Sequence, residues 1–206
     1  MATTKVDFKR ELRELYTATR NPQFVDVPEM AFAMVDGHGD PNVAPEYAET
    51  VQALYSVAYT ARFALKRAPD GLDFGVMPLE GLWWAQDMAA FTTSDKASWD
   101  WTMMIMQPAP VTPEVFEHAR AAASRTKPLA AIDRLRLERF TEGRAAQVLH
   151  VGPYAAEGPV IQGLHAFIAE HDCELAGKHH EIYLNDPRRT SPAKLRTIIR
   201  QPVSER

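Results

Sequence analysis

Residues 101–108 read WTMMIMQP, and residues 195–202 read LRTIIRQP, with an Ile and a Gln-Pro in register. Either octet alone is strand material, its side chains alternating between two faces. What precedes each octet decides the fold. AMVDGHGD (33–40) and QVLHVGPY (147–154) both read as a strand running into a glycine turn. Each is followed by an amphipathic helix, and then by PLEGLWWA (78–85) or HHEIYLND (179–186). Four elements recur in one order, so the chain reads as two copies of a β-α-β-β unit. One copy covers a sheet face poorly by itself. The expected fold is therefore α+β: two pseudo-symmetric modules in one antiparallel sheet, helices on one face, and a ligand pocket at the seam.

The boundaries follow from local chemistry. Residues 1–28 read as an N-terminal leader: KRELRELY holds one helical turn or two, and NPQFVDVP is extended because residues before proline avoid the α region. Module one spans 29–110, a connecting helix and strand 111–142, and module two 143–206. In 42–67, Tyr47, Val51, Leu54, Ala58 and Leu65 keep the spacing of one helical face. Residues 72–87 are strand material interrupted by Pro78 and Gly81. Thr112 caps the helix over 111–127, with Pro113 in its first turn. Residues 134–154 read as a hairpin turning at Glu142-Gly143, residues 157–172 as a helix, and 178–186 and 194–203 as strands.

Composition narrows the function. The chain has 206 residues, 46% of them apolar, and a net charge of −4, so no bulk positive field attracts nucleic acid or an anionic membrane. A single cysteine, Cys173, cannot form an internal disulfide, which points to a reducing cytoplasm. No apolar run approaches the roughly 20 residues of a membrane span, and the N-terminus lacks a secretory apolar stretch.

All four tryptophans fall between positions 83 and 101. Trp83 and Trp84 are adjacent in a strand and must point to opposite faces; Trp99 and Trp101 share one. At least one tryptophan then leaves the helix-covered side, for a ligand cage or a protein interface. In module two, His180, Ile182 and Leu184 share a face and are expected under the helices. His179, Glu181, Tyr183 and Asn185 share the other. Glu80 occupies the position in module one that matches Glu181, with Trp84 on its side. A carboxylate among aromatic rings is partly desolvated; it recognises a cation or polarises water. His179 and Glu181 could chelate together, but no third ligand lies near in sequence, so no metal or other cofactor is expected.

Six stretches, DGHGDPN, EYAETVQALYSVAY, PLEGLWW, WDWTMMIMQP, LHVGPY and HHEIYLNDPRRTSPAKLRTIIRQPV, together resemble the GyrI-like small-molecule-binding family, from about residue 20 to the end. The resemblance implies two SHS2-like modules and a pocket at their seam. It also implies that Glu181 matches the buried glutamate with which related multidrug-responsive regulators contact cationic aromatic drugs. A stand-alone branch is similar to cyclopropanoid hydrolases, which open the strained ring of DNA-alkylating compounds such as yatakemycin and CC-1065. On that reading Glu181 and Tyr183 are catalytic, and Trp84, Trp101, Trp99, Tyr154, Glu80 and His179 bind the ligand. The expected partner is a small aromatic molecule, cationic or electrophilic. About 28 residues precede the first strand, too few for the DNA-binding parts of those regulators, so no nucleic-acid partner is expected. The alternatives are a protein that sequesters drugs without turnover and a gyrase-inhibitor-like interaction module.

Overall fold

A computed structural model describes residues 4–85 and 96–206; the Gln86–Asp87 end of the strand expected over 72–87 lies outside them. The described residues form a mixed α+β fold that divides into two compact units. Unit one comprises residues up to Glu11, Met30–Met77 and Trp84–Phe140. Unit two comprises Leu12–Glu29, Pro78–Trp83 and Thr141–Arg206.

In unit one, β1 (Thr4–Val6) is followed by the short helix α1 (Phe8–Glu11). After β3 (Met30–His38) come α3 (Pro45–Arg67), β4 (Leu72–Phe74) and β6 (Asp100–Gln107), then α4 (Pro113–Thr126), α5 (Ala130–Asp133) and β7 (Arg136–Phe140). β3 pairs antiparallel with both β6 and β7, and β1 pairs parallel with β4. Thr50, Ala53, Leu54, Val57, Ala58 and Ala61 are the buried side of α3, at the three-and-four spacing of one helical face. Thr112 caps α4 through the Val115 amide, as its hydroxyl and the following proline dictate.

In unit two, α2 (Arg13–Tyr16) and β2 (Gln23–Val27) precede most of β5 (Leu79–Trp84). They are followed by β8 (Gly143–Val151), α6 (Gly158–Glu170), β9 (Cys173–Leu175), β10 (His179–Tyr183) and β11 (Arg196–Glu205). The unit's sheet runs β2-β8-β11-β10-β5, antiparallel throughout, with β9 on the end of β11. The repeat read from sequence appears in the pairing. In each unit the first strand of the motif lies beside its last, β3 with β6 and β8 with β11.

Two local expectations are corrected. Residues 134–154 are not a hairpin: β7 pairs with β3, while both edges of β8 are taken, by β2 and β11. Gly143, at φ 77°, permits the sharp turn, but a turn does not choose strand partners. The second correction concerns the faces of β10. Ile199, opposite Glu181, packs with Ala146 and Val148 against Leu164 and Ile168 of α6. The helix therefore covers the Glu181 face, not the His180 face. Alternation groups side chains, but it does not say which group a helix will cover.

The segment read as a leader supplies the other cover. Leu15 and Tyr16 are buried, and Arg200 on the His180 face donates to the Leu15 carbonyl. Each fully buried aliphatic side chain on the inner face of α6, such as Leu164 or Ile168, contributes about 1.5–3 kcal/mol. Among the described residues, no helix is long and apolar enough to cross a membrane.

Candidate functional site

Strand register sets the candidate site. β5 and β10 pair so that His179 lies opposite Trp83, Glu181 opposite Gly81 and Tyr183 opposite Leu79. Paired residues share a face, so Trp83, His179, Glu181 and Tyr183 stand together. Gly81 puts no side chain opposite Glu181.

A chain of hydrogen bonds links the four side chains. The Trp83 indole N–H donates to the Tyr183 hydroxyl at 3.1 Å, and that hydroxyl donates to Glu181 Oε2 at 2.8 Å. His179 Nε2 donates to Glu181 Oε1 at 3.1 Å. Accepting from the indole polarises the Tyr183 O–H and strengthens its own donation. The Tyr154 ring stands edge-on to the Tyr183 ring at 5.6 Å between centroids, and Tyr154 is itself exposed. Each carboxylate oxygen accepts one bond and keeps a lone pair for a further partner.

Electrostatics keep Glu181 ionised. Burial opposes its charge, but hydrogen bonds from His179 and Tyr183 and the positive fields of His179 and His180 outweigh that penalty. The carboxyl is held below its ordinary pKa. The side chains of His179 and Glu181 are 10% and 15% exposed, so the group is sheltered yet reachable. His165 on α6 lies within the field of His179; burial first, and that field second, push its pKa down and favour the neutral ring. Among the described residues, its Nε2 is buried without a hydrogen-bond partner.

The reverse face of the same strands holds a sealed polar network. His180 lies between two carboxylates, Nε2 at 3.0 Å from Glu80 and Nδ1 at 2.8 Å from Glu142. The Tyr16 hydroxyl donates to the other Glu80 oxygen at 2.8 Å. Arg200 donates to Glu142, to Gln147 and to the Leu15 carbonyl. Burial opposes the charge on His180, but Glu142 and Glu80 overcome it and raise its pKa to about 9. Burial likewise opposes charge on Glu142, yet His180 and Arg200 hold its carboxyl at about 2. Burial first, and Glu80 second, push the Tyr16 hydroxyl well above its ordinary value.

The structure thus brings together four of the residues singled out from sequence: His179, Glu181, Tyr183 and Tyr154. It does not place Glu80 with them. Glu80 lies opposite Ile182, on the reverse face, 1% exposed and engaged by Tyr16 and His180. Trp84 follows Trp83 along β5 and so points to Glu80's side of that strand, and it falls in unit one. Trp101 is also in unit one and fully buried, its ring filling the space over Gly37, edge-on to Tyr47 and donating to the Gly39 carbonyl. Trp99, in the same unit, has the Lys96 ammonium 5.4 Å from its ring. Sequence reasoning missed Trp83 and His165. The parity of Trp83 with Gly81 was visible, but its pairing with His179 was not. Among the described residues, no group of three or more His, Cys, Asp or Glu is placed to hold a metal ion.

Known proteins agree with this architecture. Residues 20–204 match the family described as GyrI-like small molecule binding domain. An uncharacterized conserved protein from Listeria innocua superposes with a TM-score of 0.89 at 42% identity, covering 97% of this chain and 100% of its own. Two crystal structures of proteins from the same organism described as hydrolases are each 40% identical. One has a TM-score of 0.86, covering 98% and 100% of the two chains, and the other 0.83, covering 97% and 100%. No curated protein matches the chain significantly.

Proposed function

The chain belongs to the GyrI-like small-molecule-binding family, and from that premise we propose that Glu181 is the centre of a ligand site that takes flat aromatic molecules and adds water to an electrophilic cyclopropane. The observation that carries this reading is one ionised, sheltered carboxylate whose two oxygens are held by His179 and Tyr183 beside the rings of Trp83, Tyr183 and Tyr154. The Listeria innocua proteins described as hydrolases support the catalytic half of it.

The chemistry needs little from the protein. Water bonds to a cyclopropane carbon, and the strained C–C bond breaks. Its electron pair flows into a conjugated carbonyl, which is protonated from solvent. Glu181 accepts the proton that the attacking water loses, and returns it to solvent. A carboxylate held below its ordinary pKa is a weak base, so its larger contribution is to orient water and to offset positive charge developing at carbon. The neighbouring aromatic faces act in the same direction. Ring strain supplies the driving force, so no covalent intermediate is required.

A second reading, a protein that sequesters aromatic cations without turnover, is favoured by the same weak basicity of Glu181. Incubation of the protein with a yatakemycin-type compound separates the two. Loss of the parent with appearance of a ring-opened, water-added product supports hydrolysis. Saturable tryptophan quenching without product supports sequestration. Retention of a protein partner with neither effect overturns both in favour of an interaction module.

A further inference from the structure

The sealed network behind the site has a part in it that the proposed chemistry does not use. His180 and Glu181 are neighbours on β10 and point to opposite faces. Each ring nitrogen of His180 faces a carboxylate oxygen, Glu80 also accepts from Tyr16, and a carboxylate only accepts, so both nitrogens donate. That requires an imidazolium. The ring then ties β5, through Glu80, to β10, and through Glu142 and Arg200 to β11. Two carboxylates and two cations leave the network with no net charge. All four side chains are 1% exposed. Breaking such a network on one side leaves an uncompensated buried charge.

The Trp83–Tyr183–Glu181 chain crosses the same β5–β10 pair from the other face, between Trp83 on one strand and Tyr183 on the other. Its 3.1 Å bond depends on the two strands keeping their spacing and register. Behind it, among the described residues, the side-chain tie across this pair is the bond from His180 to Glu80.

We propose that His180 is a positioning residue for the Glu181 site: a protonated imidazolium, clamped between Glu80 and Glu142, that locks β10 to β5 and so fixes the hydrogen-bond chain from Trp83 through Tyr183 to Glu181. This deepens the proposed ligand site and rests on that reading for its function. The charged and titratable groups facing His180 are Glu80 from β5, Glu142 from the turn before β8, Arg200 from β11 and Tyr16 from α2. On its own strand, Glu181 and His179 face the other way.

The test is NMR of the intact chain labelled with ¹⁵N at histidine and at the tryptophan indole, titrated from pH 6 to 10, with affinity for ethidium, a flat aromatic cation, measured in parallel. We expect His180 to carry protons on both nitrogens at neutral pH and to lose one near pH 9. The Trp83 indole signal should move in the same transition, and affinity should fall about tenfold. In His180→Gln, the indole signal should be displaced at every pH and the transition should vanish. A neutral His180 ring at pH 7 overturns the proposal. So does a Trp83 signal that stays fixed while His180 titrates, a readout that needs no variant and survives if His180→Gln fails to fold. A Trp83 signal that follows His180 in a protein that binds no probe at any pH upholds the clamp and sinks the ligand reading instead.

Discussion

β10 presents a histidine–carboxylate pair on each face, and the two pairs have different fates. On one face His180 meets Glu80 and Glu142, with Arg200 and Tyr16 completing the set, all closed to solvent. On the other face His179 meets Glu181, with Tyr183 and Trp83 completing a shorter chain that solvent still reaches. The same residue types, one position apart, make a structural weld and a candidate site. The difference lies in exposure. The sealed face sets its charges against one another, with side chains 1% exposed. The open face holds a single carboxylate between His179 and Tyr183, with the His179 and Glu181 side chains 10% and 15% exposed. Charge alone therefore does not mark a site. Charge that a ligand can reach does.

The comparison breaks most visibly at Glu142. Glu142→Ala leaves His180 and Arg200 buried with too few acceptors, and should cost about 3–5 kcal/mol in urea unfolding. A cost under about 1 kcal/mol would mean the sealed face is not a weld. On the open face, Glu181→Gln keeps the shape and the acceptor on one side but removes the charge. Turnover of a yatakemycin-type compound should fall by about 10² or more, with aromatic binding largely spared and stability nearly unchanged. Unchanged turnover would remove Glu181 as the group that directs water.

Acid sharpens the contrast. Glu142 has a folded pKa of about 2 against an ordinary value of 4.5, so the unfolded chain binds a proton more readily. Its contribution is fully present above about pH 4.5 and is lost as pH falls through about 2. Thermal melts from pH 6 to 2 should drop steeply below 4.5, and Glu142→Gln should flatten that limb. The smallest effect belongs to Tyr183→Phe. It removes the hydroxyl between Trp83 and Glu181, and should weaken ethidium binding by about three- to tenfold in a fluorescence titration. An equal loss in protein stability would place Tyr183 in the weld and not in the site.

Much of this was legible in the residues. The order of strand, glycine turn, helix, strand and strand is written twice, because each element's periodicity is local. The grouping of His179, Glu181 and Tyr183 on one side followed from strand alternation. The partners were not legible. Glu80 looked like the counterpart of Glu181 until register placed it opposite Ile182. Trp84 looked like the facing aromatic until register put Trp83 beside His179. Glu142 looked like a turn residue and is a buried ligand of His180 and Arg200.

The sequence by itself determined the two-fold repeat, the strand faces and the family. Only the tertiary structure decided which face of β10 the helix covers, which tryptophan meets Tyr183, and which carboxylate stays within reach of solvent. The physical reason is range. Periodicity and turn chemistry act over a few residues, whereas strand register and the pairing of buried charges join residues 38, 64 or 100 positions apart. Contacts at that separation are set by the assembled sheet and are written in no single segment of the chain.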